Sequence, residues 1–224
     1  MKRTISKENY LKAIAEAQSE GETVIAATLA RWLDVSPPAV TMALRRLSRD
    51  GLIRIAPAKA SATKSKPGEI HLTAAGRKIA NEILHRHHLI ERMLTEVFGM
   101  EWYKVHDEAE RLEHAVSADF EALLATKLGS DKACPHGSLS EIDSPTERRA
   151  RGLQTLNEVE APAKARVVSV YERDRALLEH LDKLHLRPGT QIDITPMGLR
   201  ISGTPAKLDP AITKRIWVAA APAK

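Results

Sequence analysis

The chain has 224 residues, of which 43% are hydrophobic and 28% charged, and a net charge of +5 at pH 7. These values fit a globular protein with one large domain or two to three small ones, and no apolar run is long enough to span a bilayer. The N-terminus begins Lys2-Arg3-Thr4-Ile5 without an apolar signal segment, and the single cysteine excludes an intrachain disulfide. We therefore expect a cytoplasmic protein without a membrane partner.

Charge is distributed unevenly along the chain. Residues 1–80 carry 14 Lys and Arg against 7 Asp and Glu, whereas residues 81–145 carry 6 against 13 and hold six of the nine histidines. The basic N-terminal part predicts a polyanionic partner. The acidic, histidine-rich middle part predicts a cation-binding site.

Residues 1–75 are predicted to form a winged helix-turn-helix DNA-binding domain. Three segments with helical spacing of apolar residues are followed by two segments with strand-like alternation. Ser36 is placed to cap the third helix, with Pro37 at its first position. A hairpin after a helix-turn-helix is a wing, so the third helix is predicted to be the recognition helix. The predicted helices are 6–19, 25–33 and 36–50, and the predicted strands are 52–55 and 69–72.

The recognition helix begins with small or polar side chains, which let the backbone approach base edges, and methyl groups that can contact thymine. The arginines that follow, and the lysines of the wing, suit phosphate contacts. The alternative is a winged helix used for protein contacts, which the basic charge disfavours. The predicted DNA-binding residues are Ser36, Pro38, Ala39, Thr41, Met42, Arg45, Arg46, Lys59, Lys64 and Lys66.

A single helix is predicted over residues 102–128, and one of its faces carries ligand-type side chains. At about 100° per residue, His106, Glu110, Glu113 and His114 fall within roughly one third of the circumference. Imidazole and carboxylate groups are good ligands for divalent transition metals. The alternative is a solvated charged face with incidental histidines.

The preceding helix, predicted from Thr73 to Gly99, strengthens the metal interpretation. His87 and Glu91 are four residues apart and share one face beside the apolar side of the helix, while His85 and His88 are predicted to face solvent. Burying an unpaired glutamate is expensive, so this pair requires a partner. A satisfied core histidine is the alternative, but the neighbouring His106 helix favours a metal.

The C-terminal part changes to strand-like patterns. Short alternating segments with tight turns predict a small β-barrel over 165–224, and Pro-rich punctuation predicts a linker over 146–164. The remaining residues, 76–145, form the predicted helical metal-binding and dimerisation domain. The Cys134-Pro135-His136-Gly137 segment is, by itself, compatible with an ordinary turn around one buried thiol.

This order of parts resembles the diphtheria toxin repressor family of metal-dependent transcriptional regulators, including its manganese-responsive members. The resemblance implies a mainly α fold with small β parts: an N-terminal winged helix-turn-helix, a helical metal-binding and dimerisation domain, and a C-terminal small SH3-like (FeoA-like) β-barrel. The motifs that carry it are His-His-Leu-Ile-Glu-Arg at 87–92, Val-His-Asp-Glu-Ala-Glu-Arg-Leu-Glu-His at 105–114, Cys-Pro-His-Gly at 134–137, Glu-Asn-Tyr-Leu at 8–11 and Leu-Arg-Pro-Gly at 186–189.

The resemblance also implies two neighbouring metal sites per subunit. Iron-type members have cysteine where this chain has Glu110 and methionine where it has Asn9, so the donors here are harder and favour Mn²⁺ over Fe²⁺. The first implied site consists of Asn9, Glu110, Glu113 and His114. The second consists of His87, Glu91 and His106, with Cys134, Glu172 and Asp174 as candidates to complete it.

The function implied by the resemblance is that of a repressor in manganese or iron homeostasis. It would bind palindromic double-stranded DNA operators as a homodimer when loaded with Mn²⁺ or Fe²⁺, with Asn9 linking the DNA-binding part to the other ligands. One alternative is a winged-helix regulator that senses a non-metal ligand. A metalloenzyme is a weaker alternative, because the chain has no His-Glu-x-x-His arrangement, and we expect no enzymatic activity.

Overall fold

The computed structural model of the chain describes residues 4–57, 68–129, 132–138 and 143–220. The chain divides into two compact units, one formed by residues 1–85 with 140–145 and the other by residues 86–139 with 146–224. Among the described residues, no helix combines the length and the apolar character needed to cross a membrane.

The first unit is a winged helix-turn-helix. Helix α3 has proline at its first positions, where a missing N–H costs nothing, and the two strands pair antiparallel with Ile53 opposite Leu72. The core is aliphatic, with Leu11, Ile14 and Leu29 almost fully buried. The elements are α1 (Ile5–Ser19), α2 (Ala26–Leu33), α3 (Pro37–Arg49), β1 (Ile53–Ile55) and β2 (Ile70–Leu72).

Helix α4 (Ala74–Arg92) begins in the first unit and ends in the second. It continues as one π-helical turn, Met93–Val97, and the chain then turns at Gly99 with a φ of 66°. The helix is therefore regular through the residues that carry its ligand-type side chains and irregular just beyond them.

The single helix predicted over 102–128 is wrong: the structure has two helices, α5 (Val105–Leu112) and α6 (Ala118–Leu128). The break has a local cause, because the Ser117 side chain accepts a hydrogen bond from the Phe120 N–H at 3.2 Å and so caps a new helix. Glu113 consequently lies at the C-terminal end of α5 rather than in the middle of a helix.

A six-stranded antiparallel sheet forms the C-terminal part of the second unit. Its strand order is β3-β8-β4-β5-β6-β7, and Leu178, Leu181 and Ile192 lie at the centre of its core. The elements are α7 (Pro145–Ala150), β3 (Leu153–Thr155), β4 (Ala163–Val170), α8 (Arg175–Lys183), β5 (Gln191–Thr195), β6 (Gly198–Ile201), β7 (Thr204–Ala206), α9 (Pro210–Thr213) and β8 (Ile216–Ala220).

The segment 146–164, interpreted from sequence as a linker, contains ordered structure. Strand β3 pairs with β8, with Thr155 opposite Trp217. The guanidinium groups of Arg148 and Arg149 lie 5.1 and 5.5 Å from the centre of the Trp217 ring. A three-residue strand is too short to show a recognisable alternation of apolar and polar residues in the sequence. Only its pairing with β8 in the structure identifies it.

Trp102, in the loop before α5, belongs to the core of the sheet domain. It is 2% exposed and packs with the barrel residues, and its indole N–H donates to Asp182 Oδ1 at 2.7 Å. The loop before α5 is therefore anchored in the apolar core of the sheet, whereas α4, α5 and α6 pack in separate apolar clusters.

Gly137 lets the segment 132–138 lie directly against β4. Its φ is 89°, and a Cβ at this position would lie 2.0 Å from the Val168 carbonyl oxygen. The Val170 N–H donates to the His136 carbonyl at 3.0 Å, which fixes the same approach. Only glycine satisfies both the conformation and the contact.

We expect Gly137→Ala to lower the free energy of unfolding by about 2–4 kcal/mol, because backbone strain and overpacking add. Gly99→Ala is the matched control: its φ is also positive, but nothing lies within 4 Å of the added Cβ, so about 1 kcal/mol is expected. Urea denaturation of both variants measures the difference. Equal destabilisation would contradict the close approach.

Candidate metal centre

The centre is organised around Glu91, whose side chain on α4 is completely buried. Its Oε1 lies 3.2 Å from His87 Nε2, 3.3 Å from His106 Nδ1 and 3.4 Å from His136 Nδ1. The three imidazoles come from α4, α5 and the segment 132–138, so three parts of the chain meet at one carboxylate.

His87 also connects α4 to the end of α5. Its Nδ1 lies 2.7 Å from Glu113 Oε2, and its Nε2 lies 3.1 Å from His106 Nδ1. The four-residue spacing of His87 and Glu91 puts both on the face of α4 that packs on α5. The ligand-type atoms of His87, Glu91 and His106 all lie within 4.8 Å of one another.

A second group of potential ligands shares Glu91. It consists of His88, Glu91, Cys134 and Glu172, again with ligand-type atoms within 4.8 Å of one another. Glu172 lies in the loop that follows β4, and its Oε2 is 3.5 Å from Cys134 Sγ. The barrel thus contributes an acidic side chain to the centre.

His136 lies beside this second group with a defined orientation. Its Nε2 donates to the Trp102 carbonyl at 2.9 Å, which directs Nδ1 toward Glu91 and Glu172, the latter at 3.5 Å. A backbone carbonyl on one ring nitrogen is a common way to present the other nitrogen to a metal.

The surrounding imidazoles favour the charged form of the carboxylates. Burial would raise the pKa of Glu91, but His136 and His87 lower it well below its usual range. Burial and the nearby Glu91 would raise the pKa of Glu172, but His88 and His106 lower it as well. Burial, with Glu91 and Glu172 nearby, raises the pKa of the Cys134 thiol well above its usual value.

Two side chains of the centre leave buried polar atoms without a hydrogen-bond partner among the described residues. They are Glu91, through Oε2, and His88, through both ring nitrogens. Buried polar atoms are nearly always paired, so these atoms need a partner. A divalent cation fits, because carboxylate oxygen, imidazole nitrogen and thiolate sulfur are its usual protein ligands.

Two further predicted ligands, Glu110 and His114, contact other side chains of the centre rather than Glu91. Glu110 is 3.4 Å from Arg173 Nη1 and 3.7 Å from His106 Nε2, and His114 Nε2 is 3.5 Å from Glu113 Oε1. Asn9 belongs to the first unit, and its role as a ligand stays a prediction from the resemblance.

Asp174 does not lie in either group of ligand-type atoms. Its Oδ1 accepts from the Leu177 N–H at 3.0 Å and so caps α8, while its Oδ2 pairs with Arg215 Nη1 at 2.8 Å. Of the two barrel acids considered from sequence, Glu172 is the one that the fold brings to the centre.

Sequence reasoning missed His88 and His136. His88 was predicted to face solvent, but it is only 3% exposed, because a further part of the chain covers that face of α4. The signal for His136 is the Cys-Pro-His-Gly segment, which offers an imidazole two residues after the thiol.

The face of α3 predicted to contact DNA is open to solvent. Val40, Ala43, Leu44 and Leu47 turn inward, whereas Met42 is 61% exposed. The predicted wing residues Lys59, Lys64 and Lys66 lie outside the described residues. The other predicted DNA-binding side chains are all exposed: Ser36, Pro38, Ala39, Thr41, Arg45 and Arg46.

Three models of protein families match successive parts of the chain, from the winged helix-turn-helix to the C-terminal sheet. The N-terminal DNA-binding domain of iron-dependent repressors matches residues 3–61, and their metal-binding and dimerisation domain matches residues 73–140. The FeoA domain matches residues 154–220.

Individual proteins match over most of the chain. The diphtheria toxin repressor of Corynebacterium jeikeium is 31% identical over 219 residues, which cover 87% of this chain and 88% of that protein. The iron-dependent repressor IdeR of Mycobacterium tuberculosis is 35% identical over 180 residues, 78% of this chain and 72% of that protein. A solved manganese-dependent transcriptional repressor in complex with manganese superposes with a TM-score of 0.81 at 25% identity, covering 96% of this chain and 100% of its own. The chain belongs to the diphtheria toxin repressor family of metal-dependent transcriptional repressors.

Proposed function

We propose that the chain represses genes of manganese or iron homeostasis by binding operator DNA as an ion-loaded homodimer. The observation that carries this proposal is the cluster of buried acids and imidazoles around Glu91. The same chain exposes small side chains at the start of α3 and arginines further along it. We propose a regulator rather than an enzyme, since the family consists of repressors.

The electrostatics of the centre support ion-dependent regulation. Glu91 and Glu172 lie close together in a buried environment, and the neighbouring imidazoles lower the pKa of both carboxyl groups, which favours their charged forms. A bound divalent cation would offset their repulsion and allow the Cys134 thiol to ligate as a thiolate. The chain's own acids and imidazoles would then hold the second unit in one arrangement, which raises the population of the DNA-binding form.

Manganese is the ion we favour for the group formed by His87, Glu91 and His106. Its donors are imidazole nitrogen and carboxylate oxygen, without sulfur, and two further carboxylates, Glu110 and Glu113, lie next to its imidazoles. Hard oxygen donors suit Mn²⁺. Repressors similar to this chain include proteins named for iron and for manganese, so Fe²⁺ is the competing ion.

The second unit also presents an apolar surface suited to self-association. Phe98 and Val97, after α4, are 69% and 63% exposed, and Leu123 and Phe120 on α6 are 52% and 40% exposed. Large apolar side chains that remain exposed after folding are candidates for an interface. We propose that they belong to a homodimer interface, whose two-fold symmetry matches a palindromic operator.

Because both ligand groups share Glu91, we expect Glu91→Gln to weaken ion binding at both, by at least about tenfold at each. Glu108→Gln on α5 is the control, since Glu108 pairs with Arg111 rather than with the centre. Calorimetric titration of metal-free protein with Mn²⁺ and with Fe²⁺ under anaerobic conditions measures both affinities. Retention of one unchanged site would contradict the shared carboxylate.

Ion-dependent DNA binding is tested with an operator selected from a random duplex pool by the Mn²⁺-loaded protein. Mn²⁺, Fe²⁺, Co²⁺ and Zn²⁺ are titrated separately under anaerobic conditions in a gel shift. We expect chelator to abolish the shift, and Glu113→Ala with His114→Ala to abolish the ion response while the circular dichroism spectrum is retained. Equal operator affinity with and without ion would contradict the proposal and favour a regulator that senses an organic ligand.

The role of α3 is tested through the salt dependence of binding. Arg45→Ala should remove one phosphate contact and reduce the slope of log affinity against log salt by about 1. Arg31→Ala on α2 is the control, because Arg31 is an exposed arginine that pairs with Glu22. An unchanged slope for Arg45→Ala would place Arg45 outside the interface.

A further inference from the structure

His88 is a buried imidazole whose role the proposed function does not explain. It is 3% exposed, and neither ring nitrogen has a hydrogen-bond partner among the described residues. Its Nε2 lies 3.9 Å from Glu172 Oε1, which is too long for a hydrogen bond. A buried imidazole that lies near a carboxylate but makes no hydrogen bond is costly, so its position here calls for a ligand.

The ring of His88 is directed into a compact group of other ligand-type atoms. An imidazole nitrogen of His88, a carboxylate oxygen of Glu91, the sulfur of Cys134 and a carboxylate oxygen of Glu172 all lie within 4.8 Å of one another. Glu91, in the same group, also has a buried carboxylate oxygen, Oε2, without a hydrogen-bond partner among the described residues. Two side chains of one group thus each have buried polar atoms that lack a hydrogen-bond partner.

The neighbouring histidine has a different set of contacts. His87 is engaged with Glu113, Glu91 and His106, on the side of α4 that packs on α5. Consecutive residues of a helix point about 100° apart, so His88 faces the segment 132–138 and the loop after β4 instead. The two adjacent imidazoles of α4 therefore serve two different ligand groups that meet at Glu91.

We infer that His88 is a metal ligand and sets the ion preference of the second group. This inference rests on the proposed function, because it assigns a ligand within the same centre. With His88, the group combines an imidazole and a thiolate with two carboxylates, and it takes a borderline divalent ion such as Fe²⁺, Co²⁺ or Zn²⁺. The first group, which lacks sulfur, keeps its preference for Mn²⁺.

Co²⁺ is the probe that tests this assignment, because a thiolate bound to Co²⁺ gives a charge-transfer absorption in the near ultraviolet. Titration of the full metal-free chain with Co²⁺ under anaerobic conditions follows that band, and Cys134→Ser identifies it. We expect His88→Gln to weaken Co²⁺ binding at the thiolate-containing site by at least about tenfold and to change the visible d–d spectrum. Mn²⁺ binding at the His87 group should be unchanged.

His85→Ala is the matched control, because it removes an imidazole three residues away on α4 that belongs to neither ligand group. Circular dichroism and thermal unfolding check that each variant is folded. If His88→Gln does not fold, X-ray absorption of the Co²⁺-loaded His136→Gln variant counts the imidazole and sulfur ligands instead, because His136 also lies beside this group. A thiolate site that keeps an imidazole ligand supports the assignment, and a thiolate site without an imidazole overturns it.

The outcomes separate this inference from the proposed function. A loss of Co²⁺ affinity in His88→Gln but not in His85→Ala supports His88 as a ligand. An unchanged Co²⁺ titration in His88→Gln, with ion-dependent operator binding intact, overturns the inference alone. Absence of ion-dependent operator binding in the unmodified chain overturns the proposed function, and the inference with it.

Discussion

The second unit depends on stabilising one fully buried carboxylate. Glu91 is 0% exposed, and an isolated charge in such a position would cost several kcal/mol. It is tolerated because imidazoles from α4, α5 and the segment 132–138 all contact its Oε1. The same requirement therefore fixes the mutual positions of these segments, and a ligand that acts on Glu91 acts on all of them.

The barrel domain contributes both a ligand-type side chain and packing contacts to this arrangement. Glu172, after β4, lies in the second ligand group, and Trp102 from the helical part is buried in the core of the sheet. The Trp102 carbonyl in turn orients the His136 ring through Nε2. Packing and ligand geometry are thus coupled, because a shift of the barrel core would move both Glu172 and the hydrogen bond that directs His136.

Sequence periodicity was sufficient for α1 to α3, for the longer strands of the barrel and for placing His87 and Glu91 on one face of α4, whereas the resemblance was needed to add His106 to them. Their spacing on regular helices is local information. The break after α5 and the burial of His88 could not be predicted, because each depends on what covers a face or caps an end. For the same reason, the sequence could not distinguish Glu172 from Asp174 as the barrel ligand. Asp174 caps α8, and the turn after β4 brings Glu172 to the centre.

The recognition helix cannot itself sense the ion. Helix α3 contains no His, Cys, Asp or Glu, so the ion can influence DNA binding only through another part of the chain. Helix α4 is suited to that role, since it begins in the first unit and carries His87, His88 and Glu91 in the second. Its start is fixed against the winged domain: a Cβ on Gly76 would lie 2.0 Å from the Leu52 carbonyl oxygen. The helix whose first residues pack on the winged domain is thus the same continuous helix that carries His87, His88 and Glu91.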